Sequence, residues 1–467
     1  MIYAAGNAGE RRDPVMKSSV PRLPLIVLAA SFGFVVVQLD VTIVNVALVS
    51  IGRDLHAPVS DLQWIVDAYT LLFAAFLLSA GALGDRTGPK RAFLAGFALF
   101  AAASAACGLA GDSGMLIAAR AVQGAAAALL VPPSLALLAH ACGDDARTRA
   151  RAVGWWTAAG GVSIAAGPVV GGLLIGTLGW RSIFLVNLPL CAIGAALTFV
   201  FAPEAPAHKK RPVDLAGQAL AFLALASLVG AVIEAGRLGW GDRLPLGLLA
   251  AAVAAAAGFL AVEARGPHPV VPLSVFRNRI FSSAVVIGVT LNFAYYGMIF
   301  VLALFLQRAA GYSTIETGLA FLPLTATFIA SNLASGPAVE RFGAGRVTVA
   351  GVLIAAMGYA ATGTLSAASP FIAMVPGFIL IPAGMGVAVP ALTSALLSSV
   401  DRHWSGTASG VFNAARQAGG AAGVAVFGAL AAGDGMGIAA GLRAASAVAA
   451  GVLLFAALIG ASTWRRA

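Results

Sequence analysis

Charge is scarce in this sequence. Only 10% of its 467 residues are Asp, Glu, Lys or Arg, against 60% hydrophobic, and the mean hydropathy is +0.92. A water-soluble domain of this length needs far more charge to cover its surface, so the chain is expected to use lipid as its solvent. Acidic residues are the scarcer sign, 19 against 29 basic, for a net charge of +10. The basic residues recur between apolar runs instead of forming one stripe, which argues against a nucleic-acid partner. Cysteine is limited to Cys107, Cys142 and Cys191, each in or beside an apolar segment and none at metal-ligand spacing. A Walker loop, a metal-ligand cluster and a nucleophile triad are all missing. An enzyme, ATP as the energy source and any cofactor are therefore not expected. Residues 1–22 are polar and basic and contain Pro14 and Pro21; they read as a disordered cytoplasmic tail, and no cleavage site marks a signal peptide.

What the chain has instead is apolar runs. A stretch of ~20 apolar residues spans a bilayer, and about fourteen such stretches occur, from 23–50 through 63–84 to 438–462. The expectation is an all-α integral membrane protein of fourteen spans. With the N-terminus placed in the cytoplasm, alternating connections and tails on that side hold 21 of the 29 Lys and Arg residues, and the other side holds 5. That bias fixes both termini as cytoplasmic and supports an even number of spans. An internal repeat is visible as well. Gly154–Gly172 aligns without gaps on Gly410–Gly428, at an offset of 256 residues, with Gly154, Ala158, Ala159, Ala165, Ala166, Gly167 and Gly172 recurring. The predicted organisation is a tail (1–22), a six-helix half (23–202), a linker carrying two additional helices (203–279) and a second six-helix half with a short tail (280–467). Parallel repeats about an axis along the membrane normal are a transporter architecture, with the substrate site between the halves.

The polar residues inside these runs carry the chemistry. Asp40 lies 10 residues before Ser50, hence ~15 Å from that end of its helix, too deep to reach bulk water. Such a carboxylate is protonated, paired or set in a watery cavity, and it serves either function or a structural link between helices. Arg120, Gln123 and Gly124 share one helix face. Arg120 stays charged, and either attracts a substrate, acts on a carboxylate nearby or snorkels to the interface. Asp67 lies near the outer end of the second span, either exposed at the interface or functional. Small residues at Gly160, Ser163, Gly167 and Gly171 line one face of the fifth span, and Pro168 interrupts its hydrogen-bond ladder. In the second half Asn413, Arg416, Gln417 and Gly420 follow one face, and Asn292, Tyr295, Tyr296 and Asn332 face the cavity or bond between helices. Gln38, Asn45, Gln123 and Trp155 complete the candidate substrate cavity. Deep in this second half no acidic residue stands out.

Gly81-x-Leu83-Gly84-Asp85-Arg86-x-Gly88-x-Lys90-Arg91 reads as a tight, positive turn, with a helix leaving the membrane at Gly84 and another entering near Ala92. This order resembles the signature loop of the major facilitator superfamily, between its second and third helices. Leu39-Asp40-x-Thr42-x-x-Asn45 looks like the first-helix motif of drug:proton antiporters. Leu116-x-x-x-Arg120-x-x-Gln123-Gly124-x-Ala126 resembles the family's fourth-helix motif, which is linked to proton transfer. Gly167-Pro168-x-x-Gly171-Gly172 resembles the motif associated with exporters. The runs Trp64 to Tyr69, Trp180-Arg181-x-Ile183-Phe184-x-x-Asn187-x-Pro189 and Phe276-Arg277-Asn278-Arg279-x-Phe281 resemble the fourteen-span drug:proton antiporter branch.

The resemblance implies a bacterial plasma-membrane protein, acting as a monomer, whose partners are a small-molecule substrate, protons and the lipid bilayer. It would export amphipathic compounds such as antibiotics in exchange for protons. Asp40 would carry the proton, Arg120 would be its electrostatic partner, and Asp67 is a second candidate. The loop with Asp85 would gate the cytoplasmic side. A proton-coupled importer of a polar metabolite is the alternative, and a non-transporting membrane sensor a third.

Overall fold

The computed structural model describes residues 23–143, 145–204, 215–265, 273–400, 405–432 and 436–464. The expected tail 1–22 and the basic run Lys209, Lys210, Arg211 lie outside the described residues. Among the described residues the regular structure is helical throughout. The helices are α1 (Leu23–Asp54), α2 (Val59–Thr87), α3 (Pro89–Gly108), α4 (Ser113–Cys142), α5 (Ala146–Leu178), a short α6 (Ser182–Leu185) continued by α7 (Asn187–Phe201), α8 (Leu215–Leu238) and α9 (Arg243–Arg265). Then follow α10 (Arg279–Leu304), α11 (Thr314–Ala320) continued by α12 (Leu322–Phe342), α13 (Ala344–Thr362), α14 (Phe371–Ser398), α15 (Ser405–Leu430) and α16 (Met436–Trp464). Twelve of the resulting segments are long and apolar enough to cross a membrane. The other two, α2 and α15, have 29 and 26 residues and carry Asp61, Gln63 and Asp67, and Asn413, Arg416 and Gln417, respectively.

The connection between α2 and α3 differs from the turn expected at Gly84. Helix α2 continues through Thr87, and Gly88 alone separates it from Pro89, the first residue of α3. Gly88 has φ 90°, a conformation that glycine adopts without steric cost, and Pro89 begins a helix well because its missing N–H would be unpaired there. Gly81 and Gly84 lie inside α2 facing Pro132 and Pro133 of α4, where an added Cβ would make only ordinary contacts at 3.8 and 3.5 Å. Arg86 and Arg91 are exposed, and Lys90 pairs with Glu204 at 3.6 Å; the side chain of Asp85 lies outside the described ones. Farther on, Asn278 caps α10 by accepting from the N–H groups of Ile280 and Phe281, while its own Nδ2 donates to the Ser399 carbonyl at the end of α14.

The packing of the helices in 23–201 recurs in that of the helices in 279–464. Helix α1 packs on α5 and α7 as α10 packs on α15 and α16; α4 packs on α2 and α3 as α14 packs on α12 and α13. Buried share separates centre from rim: 72% of the most apolar stretch of α1 and 61% of that of α10, but 17% of that of α9. Helices α8 and α9 pair with each other, and α8 leans on α2 and α15.

The two sets of six meet chiefly through α2 against α15 and α5 against α11 and α12. The contacts tighten at the end of the bundle where α1 gives way to α2, here termed the distal end. There Gln63 of α2 donates to the carbonyls of Val424 and Ala425 of α15 at 3.3 and 2.8 Å. On the opposite side of the bundle, Gly318 of α11 lies against Pro168 and Gly172 of α5. Gln63 and Gly318 are 255 residues apart and Pro168 and Val424 are 256 apart, so the two contacts are repeats of one another. Small residues at Gly172 and Gly318 are what let the backbones of α5 and α11 touch.

Candidate functional site

Asp40 sits near the middle of α1 and is fully buried. Its Oδ2 pairs with Nη1 of Arg120 on α4. Its Oδ1 accepts from Gln123 Nε2 at 2.9 Å and from Asn187 Nδ2, on α7, at 2.9 Å. All three neighbours are donors, so the arrangement suits an ionised carboxylate. Arg120 is 1% exposed. Its Nε donates to the Ile65 carbonyl of α2 at 3.1 Å, its Nη1 also donates to Gln123 Oε1 at 2.7 Å, and its guanidinium lies over the Tyr69 ring at 4.2 Å. Ser104 of α3 closes the cluster by accepting from Gln123 at 2.8 Å and from Asn187 at 3.3 Å. A charge pair away from water is stable only when its remaining hydrogen-bonding capacity is filled, and four helices besides α1 contribute groups that fill it.

The exporter-like glycines hold α1 where this cluster needs it. A Cβ on Gly171 of α5 would come within 2.8 Å of Ile43 Cγ1, and one on Gly172 within 2.8 Å of the Thr314 carbonyl. Gly167 stands against Thr42, two residues beyond Asp40. Thr42 bends its hydroxyl back to the Gln38 carbonyl at 3.0 Å, and Asn45 Nδ2 donates to Val41 O at 3.0 Å.

A narrow cleft opens beside them between the two sets of six. Thr42, Asn45 and Val46 of α1, Ile164 and Pro168 of α5, Tyr295, Tyr296 and Ile299 of α10, and Phe321, Leu324 and Thr325 line it. Tyr295 packs edge-on against Tyr296 and stacks over Phe328. The wall is aromatic and aliphatic with a few polar groups, and at about 20 Å³ the cleft in this conformer has room for little more than a water.

The candidate cavity residues divide accordingly. Asn45, Tyr295 and Tyr296 line the cleft. Gln38 is half-buried one to two turns away on α1. Asn332 donates to its own helix at Phe328 O, and Asn413 is exposed and donates to Ser409 O. Arg416 is half-buried and donates through Nε to Asn292 Oδ1 at 3.1 Å; Gln417 follows it on α15. Two candidates are corrected. Gln123 is buried in the Asp40 cluster, and Trp155 is 71% exposed. Trp155 lies nine residues before the cleft residue Ile164, about two and a half helical turns, and so on the opposite face of α5. Its neighbour Trp156 is the tryptophan that packs inward, stacked on Phe34 at 3.8 Å.

Asp67 is not part of the cluster. It is fully buried, and neither carboxylate oxygen has a hydrogen-bond partner. It lies one turn from Gln63 and one turn from Leu71, which packs with Val229 and Ile233 of α8 and Ala421 and Ala425 of α15. Among the described residues no group of three His, Cys, Asp or Glu side chains is placed to hold a metal ion.

The chain is similar to several known proteins. The chain is 38% identical over 421 residues to the methylenomycin A resistance protein of Streptomyces coelicolor, covering 90% of this chain and 87% of that one. It is 37% identical to the tetracenomycin C resistance and export protein of Streptomyces glaucescens, covering 86% and 75%, and 36% identical to the multidrug resistance protein Stp of Mycobacterium tuberculosis, again covering 86% and 75%. Among solved structures, the xylose transporter XylE of E. coli in a partially occluded inward-open conformation superposes with a TM-score of 0.65 at 15% identity, covering 94% of this chain and 98% of that one. Residues 30–424 match the Major Facilitator Superfamily, and the chain belongs to that family.

Proposed function

We propose that this protein exports amphipathic small molecules of the antibiotic type from the cytoplasm in exchange for protons. The observation that carries the reading is the buried Asp40–Arg120 pair, one turn of α1 from the cleft residue Asn45. A charge pair at that depth is costly to keep and marks a transport or proton pathway more often than a structural link. The names of the relatives, which include resistance and export proteins, support the direction of transport.

The geometry supports the following cycle. Two halves, 23–202 and 280–467, rock about the cleft between them, and the inserted segment 203–279 adds two spans, for fourteen in all. The positive bias of the connections puts both termini in the cytoplasm and the distal end outside. In this conformer the distal end is shut by the Gln63 and Gly318 contacts. Asp40 is paired with Arg120 in this conformer. A proton arriving at Asp40 cancels the charge that Arg120 pairs with, which loosens α1 from α4 beside the cleft and changes the balance between the two access states. Asp67, buried near the α2–α15 contact, is a second group whose charge change would act on that contact. The protein works as a monomer, with the signature loop between α2 and α3 gating the cytoplasmic side.

Reconstituted vesicles test this. With an imposed pH gradient the wild type is expected to move a dye or antibiotic substrate against its own gradient, while Asp40→Asn binds it but no longer responds to pH. Efflux by the variant with the pH dependence of the wild type would remove Asp40 from the coupling. Accumulation of substrate inside cells would favour the importer instead.

A further inference from the structure

Arg416 has no part in the coupling scheme. Helix α15 turns it toward α10, where its Nε donates to Asn292 Oδ1 at 3.1 Å and its guanidinium stands 5.4 Å from the centre of the Phe412 ring. Asn292 is 3% exposed, so it holds the guanidinium from a fixed position. That bond uses one of the five N–H donors and leaves the end-on fork of Nη1 and Nη2, a shape that matches a carboxylate. Lys90–Glu204, Asp40–Arg120, Arg181–Asp54 and Arg237–Glu234 form ion pairs, whereas Arg416 makes none among the described residues. The cleft is one helical turn away. Asn292 precedes Tyr296 by a turn on α10, and Gly420, a turn beyond Arg416 on α15, abuts the Tyr296 ring, which lines the cleft. The carboxylates of the first half do not balance this cation: Asp40 is held by Arg120, and Asp67 lies on α2. A half-buried guanidinium without an anion keeps part of its desolvation cost, and an anion brought by the cargo relieves it.

We propose that Arg416 anchors the carboxylate of an anionic amphipathic cargo, end-on through its two terminal nitrogens, while the apolar body of the cargo lies against Tyr295, Tyr296 and Phe321. The assignment rests on the export reading for its direction but not for its chemistry. Arginine suits the task better than lysine because its planar fork meets both oxygens at once.

Three pyrene probes that share one apolar body separate the possibilities: 1-pyrenebutyrate, its amide and 1-pyrenebutylamine. Binding to the purified full-length protein is followed by titration calorimetry. The wild type is expected to bind the acid at least tenfold more tightly than the amide and to bind the amine most weakly. Arg416→Gln is expected to bring the acid-to-amide ratio close to one, Arg416→Lys to keep part of it, and Arg416→Glu to turn the order toward the amine. Equal or tighter binding of the amide or amine by the wild type, no saturable binding of the acid, or an unchanged ratio in Arg416→Gln would overturn the proposal. Acid-selective binding together with vesicles that show no pH-driven flux would leave the anion site standing and overturn the export reading alone.

Discussion

Asp40 and Arg120 are a pair in which each member makes the other tolerable. Removing one partner of a buried ion pair leaves the other charged and unpaired, at a cost of about 3–5 kcal/mol. Asp40→Asn and Arg120→Gln are therefore each expected to lower the thermal stability of the purified protein by an amount of that order. The double variant is expected to recover most of the loss while remaining unable to couple to protons. Unfolding curves of the three variants check this, and losses that simply add would show that the two side chains do not act as a unit. Asp40 and Arg120 were legible in the sequence because ionisable groups are conspicuous in apolar runs, whereas Gln123 was expected at the substrate cavity and sits with Asp40 instead. Ser104 was not, since a hydroxyl can satisfy itself on its own helix and leaves no trace in the pattern. Asn187 lay inside a recognised stretch, but its role depends on α7 packing beside α1, which no local spacing encodes. Trp155 was misplaced for a helical reason: it adjoins Trp156, and neighbouring positions on a helix point about 100° apart.

At the scale of elements the contact of α5 with α11 leaves no room for a side chain at Gly318. A side chain at Gly318 would run into the Pro168 backbone, and real side chains do not approach so closely. Overpacking costs about 1–3 kcal/mol, and charged to the distally closed state alone it shifts the two access states by about 5- to 150-fold. Gly318→Leu is expected to favour the state with the distal end open. Labelling of a cysteine placed at Asn45, in an otherwise cysteine-free protein, by an impermeant maleimide added from outside would rise accordingly; an unchanged labelling rate would show that this contact does not gate the cleft. Positions and types of the helices were readable from hydropathy, but their ends were less so. The polar residues Asp85 and Arg86 suggested that α2 stops at Gly84, whereas the helix runs on to Thr87 because Gly88 alone makes the turn.

For the whole molecule, the recurring packing and the recurring distal contacts describe two sets of six helices related by duplication, with α8 and α9 added at one side. The added pair, being even in number, leaves the orientation of everything after it unchanged and decides only the side of residues 239–242. If α8 and α9 both cross the membrane, residues 239–242 between them face outward and the C-terminus returns to the cytoplasm. A fluorescent protein fused after Ala467 is then expected to glow, and alkaline phosphatase inserted at 239–242 is expected to be active. An inactive phosphatase at 239–242 with the C-terminal fusion still fluorescent would mean that the pair lies on the membrane instead of spanning it, and a dark C-terminal fusion would mean an odd number of spans. The apolar runs and the Lys and Arg bias carried this much of the architecture, while the side on which the pair docks, against α2 and α15, came only from packing.

Helix α10 ends in a π-turn, Phe305–Ala309, in which Ala310 N–H reaches back five residues to the Phe305 carbonyl at 2.9 Å. Such a turn amounts to one residue more than an α-helix would use over the same rise. Gln307 lies within it and donates across to Val46 O of α1 at 3.0 Å. The surplus residue sets the angle at which Gln307 leaves the helix, so the match between the halves at this point is written in chain length. Losing a single position here would rotate everything after it by about 100° and take Gln307 off α1, whatever residues remained.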